Sequence, residues 1–413
     1  MEKERAPLAT CRVLDLTDED GVFCTKILAA LGADVIRIEP PGGDPTRRIG
    51  PFYHDDPDPE KSLHWFVYNL NKRSITLNIQ CTTGRELFKR LVKTADFMVE
   101  CFRPGYLDGL GLGYAELSAI NPRLILTSIT PWGQTGPRSQ FKGSNLITSA
   151  ASGFMYLCGD ADRAPVQIST PVASVETGLQ AAAATMIVHW HRHRTGKGQH
   201  IDVSAQESLM AQTLPHTMLW KTKQIIPSRS TAGVTFPQFP GGAALFECQD
   251  GVVISTTTFG PGRLPLREWL ASEGMAGDLL DKKWDPVFVE GRPVSREQRA
   301  HIDEIFQAFT RKHTMEELMF QAQKRKVQVA KVSSVREVRE DAHLKQREYF
   351  VKVEHPELND SIVYAGAPFK SEGMSWQYWR RAPFIGEHNR EIYVDEMGLS
   401  EPELCALKEG GAI

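Results

Sequence analysis

The sequence predicts an α/β fold in which the first ~150 residues form a doubly wound unit. Two observations predict it. Short apolar, β-branched runs alternate with stretches of helical period. The first crossover between two such runs is short, which implies parallel strands with helices on the sheet faces. "CRVLDLT" (11–17) is the first strand. "GVFCTKILAALGAD" (21–34) carries Val22, Ile27, Leu28 and Leu31 at helical spacing and stops at Gly32, a natural helix end. "DVIRIEPPGGD" (34–44) is a strand that runs into Pro and Gly. "RSITLNI" (73–79), "DFMVECF" (96–102) and "LILTSIT" (124–130) are further strands. "TGRELFKRLVKTA" (83–95) is a helix with Leu87, Leu91 and Val92 on one face. No G-x-G-x-x-G turn follows the first strand, so the sequence gives no support to a dinucleotide role.

A long helix spans 175–194, with Leu179, Ala183, Met186, Ile187 and Trp190 at helical spacing, and "TGKGQ" (195–199) ends it. "HIDVSAQESLMAQTL" is a strand followed by a helix. The patch "KTKQIIPSRSTAGVTFPQFPGG" (221–242) has the composition of a linker and marks a boundary. "ALFECQDGVVIST" (244–256) is a hairpin about Asp250-Gly251. Amphipathic helices are predicted over 264–324, and a final helix over 400–408.

Composition narrows the function. The chain has 413 residues, 41% of them apolar, and a net charge of −3. That balance argues against nucleic-acid binding, because no basic excess is available for phosphates; residues 189–197 are the one basic cluster. No apolar run reaches the ~20 residues that span a bilayer, so no membrane role is predicted. "MEKERAPLAT" lacks a signal-peptide core, and a cytoplasmic location is expected. Seven scattered cysteines (11, 24, 81, 101, 158, 248 and 405) contain no C-x-x-C pair, which predicts reduced thiols and no zinc framework. His189, His191 and His193 alternate along a helix, which spreads their side chains around it, so no metal site is expected there.

Several blocks, in order, carry a resemblance. They are "VLDLT…ILAALGADVIRIEPPGGDPTRRIGPF", "NLNKRSITLNI", "ECFRPGYLDGLGLGYAEL…NPRLILTSITPWGQTGP", "HRTGKGQHIDVSAQES" and "RAPFIGEHNREI…MGLS". Together they extend from about residue 11 to 403, and the chain resembles the family III CoA-transferases, the group of formyl-CoA transferase and carnitine CoA-transferase. The resemblance implies a large Rossmann-like domain formed by both chain ends, a smaller α+β middle domain, and an interlocked dimer. The segments implied are 1–220 and 335–413 for the large domain and 221–334 for the small one. Coenzyme A or an acyl-CoA is the implied substrate, with no covalently bound cofactor. By position, the resemblance assigns CoA binding to Arg37, Leu77, Asn78, Gln80, Cys101, Phe102, Arg103 and Lys142. Cations at Arg37 and Lys142 suit the phosphates of CoA. The loop "TDEDG" departs from the family: Asp18, Glu19 and Asp20 oppose an anionic ligand. Gly109 stands where formyl-CoA transferase has a basic residue.

Family III chemistry resembles a covalent relay through one aspartate, which holds the acyl group as an anhydride and then CoA as a thioester. A hydroxyl in its place would trap the acyl group as a stable ester. The aspartate is expected four residues before a glycine that opens the long helix. The glycine is Gly178, and Ser174 holds the aspartate's position. Ser174 is expected to cap the helix. Glu176 would then sit in the first turn, favourable to the helix dipole. It is also rotated by about 200° from residue 174. The related acyl-CoA racemases need an acid–base pair, and neither half is present: Ser144 and Ser174 stand at those positions.

Three readings follow. In the first, the chain is the silent subunit of a heteromeric CoA-transferase, and a paralogous subunit carries the catalytic aspartate. The benzylsuccinate CoA-transferases of anaerobic toluene degradation resemble that arrangement, moving CoA from succinyl-CoA to an aromatic dicarboxylate. In that case "FPQFPGGAALF" suits an aromatic substrate or an interface, or simply a packed core. In the second, the chain is a self-sufficient homodimer using Glu176. In the third, it is a non-enzymatic acyl-CoA-binding protein.

Overall fold

The computed structural model describes residues 6–160, 162–230, 233–235, 243–257, 260–374 and 376–413. The chain forms two compact units, one of residues 1–149, 170–211 and 342–413, the other of 150–169 and 212–341.

The first unit is built on a sheet of six strands. In chain order the elements are β1 (Arg12–Leu16), α1 (Val22–Ala30), β2 (Asp34–Glu39), α2 (Leu63–Tyr68), β3 (Arg73–Thr76), α3 (Thr82–Val92) and β4 (Phe97–Glu100). Then come α4 (Tyr106–Gly109), α5 (Tyr114–Ile120), β5 (Ile125–Thr130), α6 (Asn145–Ala151), α7 (Val172–Thr195), β6 (His200–Ser204) and α8 (Ala205–Met210). The strand order is β3-β2-β1-β4-β5-β6, and every pair is parallel. The strands read as near-continuous apolar runs because both faces are buried. Val13, Val35, Phe97 and Val99 point into one core, Leu14, Ile36 and Met98 into the other.

The order reverses between β1 and β4. The carboxyl ends of those two strands therefore diverge and leave a crevice, the place where open α/β sheets bind ligands.

A buried charge network holds the crevice floor. Asp15 is fully buried and takes Arg37 and Lys72, both at 2.8 Å, along with the hydroxyls of Thr17 and Thr25. Burial works against its charge, but Lys72 and Arg37 outweigh it and hold the carboxyl well below the ordinary range.

The second unit contains α9 (Leu214–Lys223), β7 (Ser228–Ser230), β8 (Gly233–Thr235), the antiparallel pair β9 (Ala244–Glu247) and β10 (Val252–Ser255), and helices α10 (Arg263–Ser272), α11 (Asp285–Phe288), α12 (Arg296–Thr310) and α13 (Met315–Arg325). β11 (Val329–Lys331) pairs with β10, and α14 (Val335–Glu340) closes the unit. Trp269, Trp284, Phe306 and Phe309 form its core. The predicted hairpin is present. Of the stretch "FPQFPGGAALF", residues 236–242 lie outside the described residues.

The sequence reading placed all of 1–220 in the large domain. Instead, residues 150–169, 212–220 and, from the segment 335–413, residues 335–341 belong to the second unit. Arg229 explains the first of these, since it donates to the carbonyls of Asp160 and Arg163.

The chain's last stretch belongs to the first unit. It runs through α15 (Ala342–Gln346), the antiparallel pair β12 (Phe350–His355) and β13 (Asp360–Ala365), and α16 (Glu401–Glu409). It covers the sheet edge at β3: Asn389 exchanges two hydrogen bonds with Thr76, and the Tyr393 hydroxyl donates to the Thr76 carbonyl.

Helix α7 differs from the sequence reading. Its buried face is Ala173, Ser174, Thr177, Gly178, Ala181, Ala182 and Thr185, all small. Leu179, Ile187 and Trp190 face outward, 48%, 69% and 72% exposed. The cause is close approach to α1: a Cβ on Gly178 would lie 2.8 Å from Phe23 Cβ and 2.9 Å from the Cys24 nitrogen. Within the basic cluster Arg192 turns inward, bonding the carbonyls of Asp96 and Arg123 and the Asp96 carboxylate. His189 and His193 touch each other at 3.2 Å. Among the described residues no three metal-ligating side chains come together, and no helix is long and apolar enough to cross a membrane.

Candidate active site

The crevice between β1 and β4 opens into a cavity of about 540 Å³, within the range of cofactor sites. Leu16, Thr17 and Asp18 line it from the end of β1, and Cys101 and Phe102 from the end of β4. The turn after β3 adds Leu77, Asn78 and Gln80. Several contacts hold that turn: the Asn78 amide donates to the Ala412 carbonyl, and the Gln80 side chain donates to the Tyr106 hydroxyl. A second cavity of about 310 Å³ shares Asp18, Cys101 and Phe102 with the first, and adds Asp20, Arg103, Lys142 and Thr148. Arg103 and Lys142 are both exposed.

Seven of the eight residues assigned to CoA by resemblance therefore gather around two adjoining hollows. Arg37 does not. It is fully buried, its guanidinium bonded to Asp15 and Thr17 on one arm and Asp44 on the other, so it braces the cavity floor and presents no charge to a phosphate.

The β1–α1 loop is acidic and tightly placed. A Cβ on Gly21 would come 2.3 Å from Cys101 Sγ, so only glycine lets the loop lie against β4. Burial, then the charge of Asp20, pushes Asp18 up to about 6. The same two causes raise Glu19. Burial and then Asp18 push the Cys101 thiol well up, so it stays protonated. Glu100, at the end of β4, is pushed up to about 7 by burial, against hydrogen bonds from Ser128 and the Phe102 amide.

Helix α7 begins at Val172, so Ser174 is its third residue and not its cap. The capping group is Asn145, whose Oδ1 accepts the amides of Ala173 (2.9 Å) and Ser174 (3.3 Å). The Ser174 hydroxyl instead donates to Asp20 Oδ1 at 2.6 Å. Ser174 also faces a third cavity of about 280 Å³, walled by Phe23, His64, Tyr68 and Asn145. Glu176 is consequently in the second turn, beyond the strongest part of the helix dipole. It accepts from Gln180 at 3.0 Å and lines none of these cavities.

Sequence reasoning missed Asn145 and the role of Asp20. Neither carries a local signal: the contacts to α7 span 28 and 154 residues.

The model of CoA-transferase family III matches residues 8–389. The succinyl-CoA:(R)-benzylsuccinate CoA-transferase subunit BbsE of Thauera aromatica is 37% identical, over 97% of each chain. The succinyl-CoA–D-citramalate CoA-transferase of Chloroflexus aurantiacus is 30% identical, again over 97% of each. Among solved structures, a CaiB/BaiF family protein from Brucella suis superposes with a TM-score of 0.81 at 28% identity, covering 94% of this chain and 99% of that one. With the family's model and relatives spanning almost its whole length, and a cavity at the sheet's switch point, the chain belongs to CoA-transferase family III.

Proposed function

We propose that this chain is a subunit of a heteromeric CoA-transferase, and that the covalent relay runs through an aspartate on a paralogous partner subunit. The donor is a succinyl-CoA-type thioester, and the acceptor a carboxylic acid such as benzylsuccinate. One observation carries the reading: at the third residue of α7 a serine stands where the family places its carboxylate, and its hydroxyl is tied to Asp20. A serine ester would stall the cycle, because CoA thiolate could not reclaim the acyl group as a thioester at a useful rate.

Two further facts support it. A relative aligned over 97% of both chains is named as a subunit. The outward row of Leu179, Ile187 and Trp190 gives α7 an apolar face of the kind that meets another chain. The CoA-side hollows give this chain a place for acyl-CoA at Leu77, Asn78, Gln80, Cys101, Phe102, Arg103 and Lys142.

Expression with and without an aspartate-bearing paralogue tests the reading. Transfer of CoA from succinyl-CoA to benzylsuccinate should need both chains. Turnover by this chain alone, lost in Glu176→Gln, would establish the self-sufficient alternative. Absence of turnover with any paralogue would leave an acyl-CoA-binding protein.

A further inference from the structure

The acid missing from α7 has a counterpart on the opposite wall. Asp20 belongs to the β1–α1 loop, and its Oδ1 accepts the Ser174 hydroxyl at 2.6 Å. Asp20 lines the CoA-side cavity with Lys142 and Thr148, whereas Ser174 lines the aromatic cavity of Phe23, His64 and Tyr68. Among the described residues none lines both. The Asp20–Ser174 hydrogen bond thus stands between the hollow that faces CoA and the hollow behind it.

We infer that Asp20 is a positioning residue that latches this site shut to the aspartyl relay, so that the site differs from a working one by two residues and not one. The inference rests on the reading of this chain as the subunit without the relay acid. An aspartate at 174 would extend one bond beyond the serine oxygen and press a second carboxylate against Asp20. Two carboxylates in contact share a proton, and the pair resists full ionisation. The relay needs an ionised carboxylate to attack the thioester. It also needs hydrogen-bond donors where the oxyanion develops, but the loop offers Asp18, Glu19 and Asp20.

Neutralising residue 20 while restoring residue 174 should therefore open the relay. In Ser174→Asp the carboxylate oxygen attacks the succinyl-CoA carbonyl, the C–S bond breaks and CoA thiolate leaves. The thiolate then attacks the residue-174 carbonyl of the anhydride and expels succinate. The product is an aspartyl-CoA thioester, heavier than the chain by one CoA less one water.

The test uses the full-length chain with any partner it carries, succinyl-CoA as probe, an acid quench, and the intact mass of this chain followed by peptide mapping. Wild type and Asp20→Asn should gain no mass. Ser174→Asp should label at least tenfold less than S174D/D20N, and its labelling should rise with pH as the shared proton leaves. S174D/D20G guards against misfolding of the Asn variant. Equal labelling of the single and double variants would overturn the latch and leave the subunit reading standing. So would a folded double variant that takes no label. Label on Asp20 of the wild type would overturn both, because the chain would then own a relay acid.

Discussion

Asn145 Oδ1 lies 2.9 Å from the Ala173 amide and 3.3 Å from that of Ser174, so the first turn of α7 is capped by a side chain from another helix. Pro171 precedes the helix and offers no capping group. Asn145→Ala should cost about 1 kcal/mol, the usual loss for a deleted cap, while Asn145→Asp should retain most of it. Urea midpoints at unchanged slope would show this. Equal midpoints for Ala and wild type would mean that water replaces the cap.

Gly178→Ala sets two effects against each other. Alanine is the better helix former by ~1 kcal/mol. The added Cβ meets Phe23 Cβ at 2.8 Å and the Cys24 backbone at 2.9 Å, and overpacking against atoms that cannot move aside costs ~1–3 kcal/mol. Net destabilisation is expected, visible as a lower thermal midpoint. A gain would show that α7 shifts freely on α1.

Arg37→Met separates bracing from ligand binding. Removing one member of a buried ion pair costs ~3–5 kcal/mol. Here it takes the guanidinium from Asp44 and leaves Lys72 as the cation paired with Asp15. The variant should lose stability by about that amount in denaturant titration. A stable variant with weaker CoA binding alone would return Arg37 to the ligand.

Glu100 gives a pH signature. Its folded pKa of about 7 lies above the ordinary glutamate value, so the folded state holds its proton longer than the unfolded chain. Stability from this group is complete at low pH and falls as pH rises from about 4.5 to 7. Glu100→Gln should flatten that part of the stability profile. An unchanged profile would mean that Glu100 is ionised in the fold.

Arg103→Ala and Lys142→Ala remove exposed cations beside the second hollow. Single exposed ion pairs contribute ~0.2–1 kcal/mol, so CoA affinity should fall by up to about fivefold for each, less at high salt. Isothermal titration at two salt concentrations checks it. Unaltered affinity would take both cations off the CoA path.

Much of the first unit was legible because its strands are apolar on both faces and because α1 and α7 run into Gly32 and Gly196. The parallel order and the crevice follow from such alternation. What was not legible lies in contacts between distant segments. Leu179, Ile187 and Trp190 have the spacing of a core stripe, yet the close approach at Gly178 admits only small residues and turns them outward. Arg37 has the chemistry of a phosphate ligand, yet Asp15 and Asp44 consume its charge. Ser174 was visible as the residue four before Gly178, where the resemblance places an acid. Its capping partner on α6 and its bond to Asp20 in the β1–α1 loop lie 29 and 154 residues away.

The bond between Asp20 and Ser174 also bears on how such a chain changes over time. If the proposed latch holds, regaining an aspartate at 174 first lands on a state with two crowded acids and a relay at least tenfold weaker. Neutralising residue 20 first leaves a serine and no turnover. On that proposal each single step gains little, and one hydrogen bond narrows the gradual way back to a self-sufficient relay.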